Sequence, residues 1–329
     1  MSLSVSQLEL AKPLPPPPSS STSPQGEPPV TPPTMSHAPA EHATLPFDQT
    51  ELVIKPRRGW IPVDWNELWN HRELLYFLAW RDVKVRYKQA ILGIAWAVLA
   101  PVLSVMVFSF IFGAKGAKLN ETLPAGLQDK TSLFIFAGLI PWMFISQAIG
   151  TGGLSLVNQQ NLLSKIYMPR LYIPASTIGS GLVDMFISFG VFFILMIARG
   201  YVPSAQIVFL PLLVLLTVLL SLGMAFVLSA ATVTYRDLRF LIPFITQIGM
   251  WLSFVIIPFS SVGGLHGKKE LVLLLNPFFG IVDAYRSCMF HGWGWKPWHL
   301  LASVIWTAGI LAFGLFYFRK TERRFADIA

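Results

Sequence analysis

Charged residues are scarce in this sequence, and cysteine is almost absent. Only 13% of the 329 residues are Asp, Glu, Lys or Arg, whereas about a quarter of a typical soluble domain is charged. The single cysteine, Cys288, excludes an internal disulfide framework and any metal site built from several cysteines. Hydrophobic residues make up 53% of the chain and lie in several long blocks. The sequence therefore predicts an all-α polytopic membrane protein rather than a water-soluble globule.

The first 60 residues differ from the rest, because they are rich in proline and serine and include the run Pro15–Pro18. A segment of this kind buries too little apolar surface to offset its ordering entropy, so we expect residues 1–60 to be a disordered tail. No basic start is followed by an apolar core, so we expect no signal peptide here. Met35 is an alternative start that the sequence leaves open.

Residues 61–90 show a helical pattern that precedes the first long apolar block. Asp64 and Glu67 have the spacing of a capping box, and Trp65, Leu68 and Trp69 begin an apolar stripe. We predict an amphipathic interfacial helix on the cytoplasmic side, with its tryptophans at headgroup level. The basic cluster that follows is explained as a topology signal, which leaves a second role in partner contact open. This cluster is Arg81, Lys84, Arg86 and Lys88.

Six apolar blocks in residues 91–329 are long enough to cross a bilayer core of roughly 30 Å as helices. They are Leu92–Gly113, Leu133–Val157, Ile173–Ala198, Val208–Thr232, Leu241–Ser260 and Leu300–Phe318. Basic residues concentrate before span one, after spans two and four, and in the short tail after span six. We therefore place both termini in the cytoplasm. These flanks account for most of the net charge of +8, so no nucleic-acid partner is predicted.

The connection between spans five and six is long and partly apolar. Leu271–Leu275 is too short to cross a membrane, and Asn276-Pro277 interrupts it. Re-entrant or interfacial external helices are the predicted form. Such an element is suited to gating an external exit.

The spans contain essentially one ionisable residue, Asp184. We expect no Lys or Arg at a comparable depth to pair with it. A neutral or hydrogen-bonded acid at a helix interface, using Ser180, Ser188 or another helix, is the preferred interpretation, and a proton relay is the alternative. With a single intramembrane acid, coupling to an ion gradient is disfavoured.

Enzymatic chemistry is poorly supported, because no group of polar residues converges in the pattern. The external histidines His266, His291 and His299 match no metal motif. The loops are too short to hold a nucleotide-binding domain. We predict a transport subunit without catalytic residues, metal or cofactor of its own, and ATP, if used, would be bound by another chain.

Aromatic residues are frequent in the spans, and most are explained by packing or contact with lipid. Some are alternatively candidates to line a pathway, since flat ring faces suit the C–H faces of sugars. The candidates are Trp96, Phe134, Trp142, Phe144, Trp251 and Phe254.

Several segments together resemble one family, the membrane-spanning permeases of type-2 ABC exporters for polysaccharide. The stretch Trp80–Lys88, running into Leu92–Trp96 and Pro101, is similar to the entry to their first span. Asn161–Arg170 resembles their cytoplasmic connection after span two. Asn276-Pro277-Phe278 and the C-terminal residues 318–327 extend the resemblance, which covers roughly residues 65–329 in the expected order.

The resemblance implies a homodimer of six-span subunits in the bacterial inner membrane, bound to two cytoplasmic ABC ATPase subunits that carry ATP and Mg. The implied substrate is a lipid-linked polysaccharide, such as the O-antigen of lipopolysaccharide on undecaprenyl pyrophosphate. Exporters of teichoic acid or capsular polysaccharide are close alternatives. An ATP-independent transporter or channel and a membrane glycosyltransferase are more remote ones.

The resemblance also implies roles for particular residues in two stretches. Contact with the ATPase is expected at Trp80, Arg81, Asp82, Asn161, Leu163 and Lys165. A second role is a hypothesis from chemistry and not from the resemblance: cations near the headgroups can pair with phosphate oxygens. Contact with the lipid pyrophosphate and with membrane-lipid headgroups is therefore expected at Lys84, Arg86, Tyr87, Lys88 and Arg170.

Overall fold

A computed structural model describes residues 65–88, 93, 95–114, 131–163, 168–256, 269–291 and 296–322. All regular secondary structure in these residues is helical. The α-helices are α1 (Trp65–Asn70), α2 (Arg72–Lys88), α3 (Ala95–Ala114), α4 (Thr131–Gln147), α5 (Ser155–Asn158), α6 (Gln160–Leu163), α7 (Tyr172–Ala198), α8 (Leu210–Thr234), α9 (Leu238–Leu252), α10 (Lys269–Leu274), α11 (Phe279–Met289) and α12 (Pro297–Glu322). The predicted tail 1–60 lies outside the described residues.

Four helical segments of the described chain are long and apolar enough to cross a membrane. They are Thr131–Gly152, Tyr172–Ala198, Ala205–Thr234 and Pro297–Glu322. Two shorter apolar helices, Ala95–Ile111 within α3 and Leu238–Leu252 (α9), coincide with predicted spans one and five. A membrane protein with several helical spans is therefore confirmed, and the number six stays a prediction.

The second predicted span ends earlier than its apolar block does. A π-helical segment, Ala148–Gly152, continues α4, and the next helix α5 begins only at Ser155. The hydroxyl of Thr232 on α8 donates to the carbonyl of Gly153 at 2.7 Å. Because glycine weakens a helix and a partner outside the helix takes up this carbonyl, the chain leaves the helical path before the apolar sequence is exhausted.

The predicted interfacial helix is broken at His71 and then crosses α7. A turn at His71 separates α1 from α2, and the amide of Leu74 donates to the carbonyl of His71 at 2.9 Å. The crossing is close, since a Cβ on Gly179 of α7 would lie 2.9 Å from the Cβ of Ala79. Leu78 is fully buried in an apolar cluster with residues of α7, α8 and α12. Helix α2 is therefore an integral part of the bundle.

Helices α8 and α12 form a close backbone contact. A Cβ on Gly314 would lie 2.6 Å from the carbonyl oxygen of Gly223, and one on Gly223 would lie 2.9 Å from the backbone of Leu311. No side chain can stand between the two helices at these positions. This α8–α12 seam fixes the relative position of two of the long apolar helices.

The described part of the connection between α9 and α12, residues 269–291, contains two short helices, α10 and α11, interrupted at Asn276-Pro277 as the sequence predicts. The side-chain oxygen of Asn276 accepts from the amides of Phe278 (2.9 Å) and Phe279 (3.3 Å), which caps the start of α11. Its side-chain nitrogen donates to the carbonyl of Leu252 at 2.8 Å. One side chain thus joins the end of α9 to the start of α11, while the depth of these helices in a membrane stays a prediction.

Arg286 of α11 holds the turn that follows α9. Its guanidinium donates to the carbonyl of Phe254 at 3.0 Å and to that of Val255, and it lies over the ring of Phe134 at 3.9 Å. Phe254 has a φ of 52°, an unfavourable value for a bulky residue. Burial lowers the pKa of Arg286 to about 9, so the side chain still carries its charge at neutral pH. The charge is therefore compensated by backbone carbonyls and an aromatic face.

Candidate functional site

Asp184, the acid in the third predicted span, pairs with two side chains at the end of α2. Its carboxylate accepts hydrogen bonds from the guanidinium of Arg86 and from the hydroxyl of Tyr87. The expectation that no cation reaches this acid is therefore wrong, because the cation comes from a helix that is not itself a predicted span. Ser188 donates to the backbone carbonyl of Asp184 at 2.9 Å rather than to its carboxylate.

Gln147, the last residue of α4, completes this cluster. When its amide is oriented with the oxygen toward Arg86, the oxygen accepts from the guanidinium at 2.9 and 3.0 Å. The amide nitrogen then donates to Asp184 at 3.3 Å. Helices α2, α4 and α7 thus meet at one polar cluster, in which every charged group has a partner. We call it the Asp184 cluster: Arg86, Tyr87, Gln147 and Asp184.

A cavity of about 310 Å³ adjoins the Asp184 cluster. Its other walls are mostly apolar and come from α3, α4 and α7, including Trp96, Pro101, Met143, Phe144 and Met185. We call it the apolar cavity. A polar group at one end of an apolar space suits an amphiphilic ligand.

A second cavity, of about 780 Å³, lies on another side of Arg86. Most of its lining residues, which come from α2, the π segment, α5 and α7, have polar side chains, and Val85 and Leu162 are the two apolar ones. We call it the polar cavity. Arg86 lines both cavities, so the two spaces meet at this guanidinium.

Arg81 and Asp82 connect α2 to its neighbours across the polar cavity. Arg81 donates to Asp82 at 2.7 Å and to the side-chain oxygen of Gln159 at 3.1 Å. The hydroxyl of Ser176 on α7 lies 3.2 Å from the other oxygen of Asp82. A displacement of the segment that carries Gln159 would therefore act directly on α2.

Comparison with known proteins identifies the family. A family model for ABC-2 type transporters matches residues 73–290, which is more than half of the chain. The chain belongs to the ABC-2 type transporter family. The resemblance of the sequence to type-2 ABC exporter permeases is thereby confirmed.

Similar curated proteins carry names from polysaccharide export. The O-antigen export system permease protein RfbA of Myxococcus xanthus is 27% identical over 68% of this chain and 83% of that protein. RfbA of Klebsiella pneumoniae is 25% identical over 78% of this chain and 95% of that protein. The polysialic acid transport protein KpsM of Escherichia coli is 23% identical over 74% of this chain and 91% of that protein.

The residues predicted to contact an ATPase divide into two groups in this ABC-2 transporter chain. Trp80 is exposed on α2, whereas Arg81 and Asp82 face the polar cavity. Asn161 and Leu163 belong to the short helix α6. Lys165 lies outside the described residues. The structure thus brings α2 and the α5–α6 segment together through the Arg81–Gln159 hydrogen bond.

The residues predicted to bind a lipid headgroup also divide. Lys84 and Lys88 are exposed and lie one turn apart on α2, with the ammonium of Lys84 lying 5.6 Å from the ring centroid of Trp80. Arg86 and Tyr87 are engaged by Asp184. Arg170 donates to the carbonyl of Glu322 at the end of α12 at 2.8 Å. Among the cations predicted to bind a headgroup, Lys84 and Lys88 are therefore more accessible than Arg86 and Arg170.

The six aromatic candidates occupy different environments. Phe134 is completely buried between Arg286 and Phe290, and Trp142 and Phe144 are also buried, although Phe144 borders the apolar cavity. Phe254 is half-buried in the turn held by Arg286. Trp96 and Trp251 each expose about half of their surface. Burial of Phe134 and Trp142 inside the subunit opposes a lining role for them, so Trp96 and Trp251 are the stronger candidates.

Most of the residues around the polar cavity were not singled out from the sequence. Thr151, Ser155, Gln159 and Thr177 lie within or beside apolar stretches, where a single hydroxyl or amide is not a recognisable signal. The same holds for Gln147 of the Asp184 cluster. A usable signal exists on α7, where polar residues recur every three or four positions. They are Ser176, Thr177, Ser180, Asp184 and Ser188, and this spacing places them on one face of the helix.

Proposed function

We propose that this ABC-2 transporter chain is the permease subunit of an ATP-driven exporter of undecaprenyl-linked polysaccharide of the O-antigen type. The family match over residues 73–290 carries the proposal, and the names of the RfbA relatives supply the substrate class. The cluster of α2, α4 and α7 next to an apolar and a polar cavity is consistent with an amphiphilic substrate.

The energy source in this proposal is a separate ABC ATPase subunit, present in two copies on a homodimer of this chain. The sequence contains no complete phosphate-binding loop, so ATP and Mg would be bound by the partner. The exposed Trp80 on α2 and the α5–α6 segment form the proposed docking region. Motion of the ATPase would reach the Asp184 cluster through α2 and through the Arg81–Gln159 hydrogen bond.

The topology in this proposal has six spans in the bacterial inner membrane and both termini in the cytoplasm. Helices α3 and α9 are the two spans that are short in the described residues. The positions of the basic residues around α2 and at the end of α12 support this orientation. The Asp184 cluster then lies about 18 Å along α7 from its cytoplasmic start, given 1.5 Å per residue.

Recognition of the lipid begins, in this proposal, at the exposed ammonium groups of Lys84 and Lys88. Both are located on the last turns of α2, beside the entry to span one. Phosphate oxygens accept charge-assisted hydrogen bonds from such groups. Arg86 can bind the phosphate only when it gives up its hydrogen bond with Asp184. In this proposal the lipid then passes the exposed ring of Trp96.

A capsular polysaccharide exporter is the second candidate, because two KpsM relatives match over 74% of the chain. The two candidates differ in the polymer that the transporter would export. The chemistry of the polymer that accumulates when export fails distinguishes them.

The test is deletion of this chain in its native host, followed by complementation. Surface polysaccharide should disappear, and polymer attached to undecaprenyl pyrophosphate should accumulate inside the cell, as measured by gel electrophoresis and mass spectrometry. Wild-type chain should restore export, and a co-purifying ATPase with its Walker lysine substituted should not support it. Normal surface polysaccharide in the deletion strain would contradict the proposal, and a polymer on a different anchor would favour the second candidate.

A further inference from the structure

Two arginines line the polar cavity, and the positive charge of each is compensated by a carboxylate. The guanidinium of Arg81 bonds to Asp82 at 2.7 Å, and that of Arg86 bonds to Asp184. An anion entering this space would have to displace a carboxylate that is already in place. The charges of the described residues therefore favour a neutral polar ligand in the polar cavity.

The hydroxyl groups of the cavity point to the kind of neutral ligand. Four of them donate their hydrogen to a backbone carbonyl three or four residues earlier in the chain: Thr151 to Gln147 (2.8 Å), Ser155 to Gly152 (2.7 Å), Thr177 to Pro174 (2.7 Å) and Ser180 to Thr177 (2.9 Å). A hydroxyl whose hydrogen is used in this way offers only its lone pairs to a ligand. These four hydroxyls thus present acceptors, which suit a ligand with many O–H donors.

The position of the cavity relates it to a phosphate-bearing lipid. Arg86 lines both the polar cavity and the apolar cavity, and the cations Lys84 and Lys88 lie on the same helix. A polyprenyl diphosphate that placed the first part of its chain in the apolar cavity and its phosphates near the end of α2 would bring its first sugar within reach of the polar cavity, which Arg86 also lines. The volume of about 780 Å³ lies within the roughly 300–1,000 Å³ of ordinary small-molecule pockets.

We propose that the polar cavity is a sugar subsite, which binds the neutral sugar next to the lipid diphosphate through acceptors that include Thr177 and Ser180. The proposal rests on the proposed function, because it takes a lipid-linked glycan as the substrate. It adds a specific consequence, which is that the permease distinguishes a glycosylated lipid from the bare lipid diphosphate. Selection at this subsite would keep sugar-free carrier lipid out of the export path.

The experiment measures binding of two probes to the full-length chain in nanodiscs: undecaprenyl pyrophosphate, and the same lipid carrying one hexose. Wild-type protein should bind the glycosylated probe about tenfold more tightly, as expected for two net hydrogen bonds. The double variant Thr177→Val/Ser180→Ala should bind both probes within about twofold of each other, at the affinity of wild type for the bare lipid. Glucose, galactose and N-acetylglucosamine versions of the probe would define the preferred sugar.

Thr246→Val is the matched control. Like Thr177, Thr246 donates its hydroxyl to the carbonyl of a proline three residues earlier (2.8 Å), but it lies on α9 away from both cavities. This variant should retain the wild-type preference for the glycosylated probe. Asn158→Ala, at an exposed position of the cavity wall, is a second variant that does not disturb the buried part of α7, and it should also reduce the preference.

The outcomes separate this inference from the proposed function. If wild type binds neither probe, both fail. If it binds both equally, or if the cavity variants keep the preference, only the sugar subsite is overturned. Loss of ATPase co-purification in the cavity variants, with binding of both probes unchanged, would also overturn it and would assign the cavity to the protein partner.

Discussion

At the scale of single residues, the ion pair between Arg86 and Asp184 explains how an acid is accommodated in an apolar span. The two side chains are 34% and 26% exposed, so each is largely withdrawn from water. An isolated carboxylate in this position would be costly. The hydroxyl of Tyr87 and the amide of Gln147 satisfy the remaining atoms. The pair thus fixes the end of α2 against α7.

We expect the pair to contribute measurably to stability. Arg86→Gln and Asp184→Asn should each lower the unfolding temperature of the detergent-purified protein, because each leaves the other charge without its partner. The double variant should lose less than the sum of the two, with a coupling energy of about 1–3 kcal/mol. Lys88→Gln, on the exposed face of the same helix, is the control and should change little. Additive effects would show that the two side chains do not interact.

At the scale of helices, the α8–α12 seam depends on the absence of side chains. Gly314→Ala should lower the unfolding temperature strongly, because the new Cβ would lie 2.6 Å from the carbonyl oxygen of Gly223. Gly309→Ala in the same helix should be neutral or stabilising by about 0.5–1 kcal/mol, since alanine is the better helix former. No atom lies within 4 Å of the position of its Cβ. Thermal unfolding of the two variants side by side tests the seam, and equal effects would contradict it.

The buried guanidinium of α11 gives a second prediction at this scale. Arg286→Met should destabilise the protein by about 2–4 kcal/mol, because the carbonyls of Phe254 and Val255 lose a charged donor. Arg236→Met, at an exposed arginine between α8 and α9, should change stability by less than about 0.5 kcal/mol. The unfolding temperature and the protease sensitivity of the chain after α9 should be measured for both variants. A stable Arg286→Met variant with an unchanged cleavage pattern would show that the turn is held by other contacts.

The positions of the long helices were predictable from the sequence, whereas their irregularities were not. A block such as Ile173–Ala198 has too many apolar residues for any structure other than a long helix, and α7 begins and ends within one residue of it. The π segment Ala148–Gly152 depends on packing against α8, and the sequence pattern of α4 does not predict that packing. The break at His71 is also a local feature, and the apolar stripe contains no signal that predicts it.

The candidate site was predictable only in part, for a related reason. The sequence identified Asp184 and the cations of α2 separately, because each is conspicuous in composition. Their pairing joins residues 98 positions apart and depends on how α2 crosses α7. Helical periodicity predicts which residues share a face, but it does not predict which two faces meet. The polar cavity is a product of that crossing and was therefore not anticipated.

At the scale of the whole molecule, firmly packed and loosely packed parts are distinct. Helices α8 and α12 share the backbone seam, whereas α9 has one buried residue, Ile242, among its fifteen. Its apolar side chains Phe240, Phe244 and Trp251 are exposed. A surface of this kind needs lipid, a second subunit or the transported polymer to cover it. Helix α9 is therefore packed loosely against the rest of the described residues and is free to change neighbours.

The N-terminal residues give a prediction at this scale. The family match begins at residue 73, and the described contacts begin in α1. Deletion of residues 1–56 should therefore leave the unfolding temperature and the co-purification of the ATPase unchanged. Polysaccharide export in the complemented deletion strain should also persist. Loss of export with normal stability would instead assign a regulatory role to the tail.

The location of Arg86 between two cavities and an acid has a thermodynamic consequence. A ligand that draws this guanidinium away from Asp184 weakens the attachment of α2 to α7, and release of α2 strengthens the binding of that ligand by the same coupling free energy. Linkage is reciprocal, so a partner that pulls on α2 must change the affinity for that ligand by an equal factor. The nucleotide state of the ATPase and the occupancy of the cavities would then be coupled through one equilibrium, the attachment of α2 to α7.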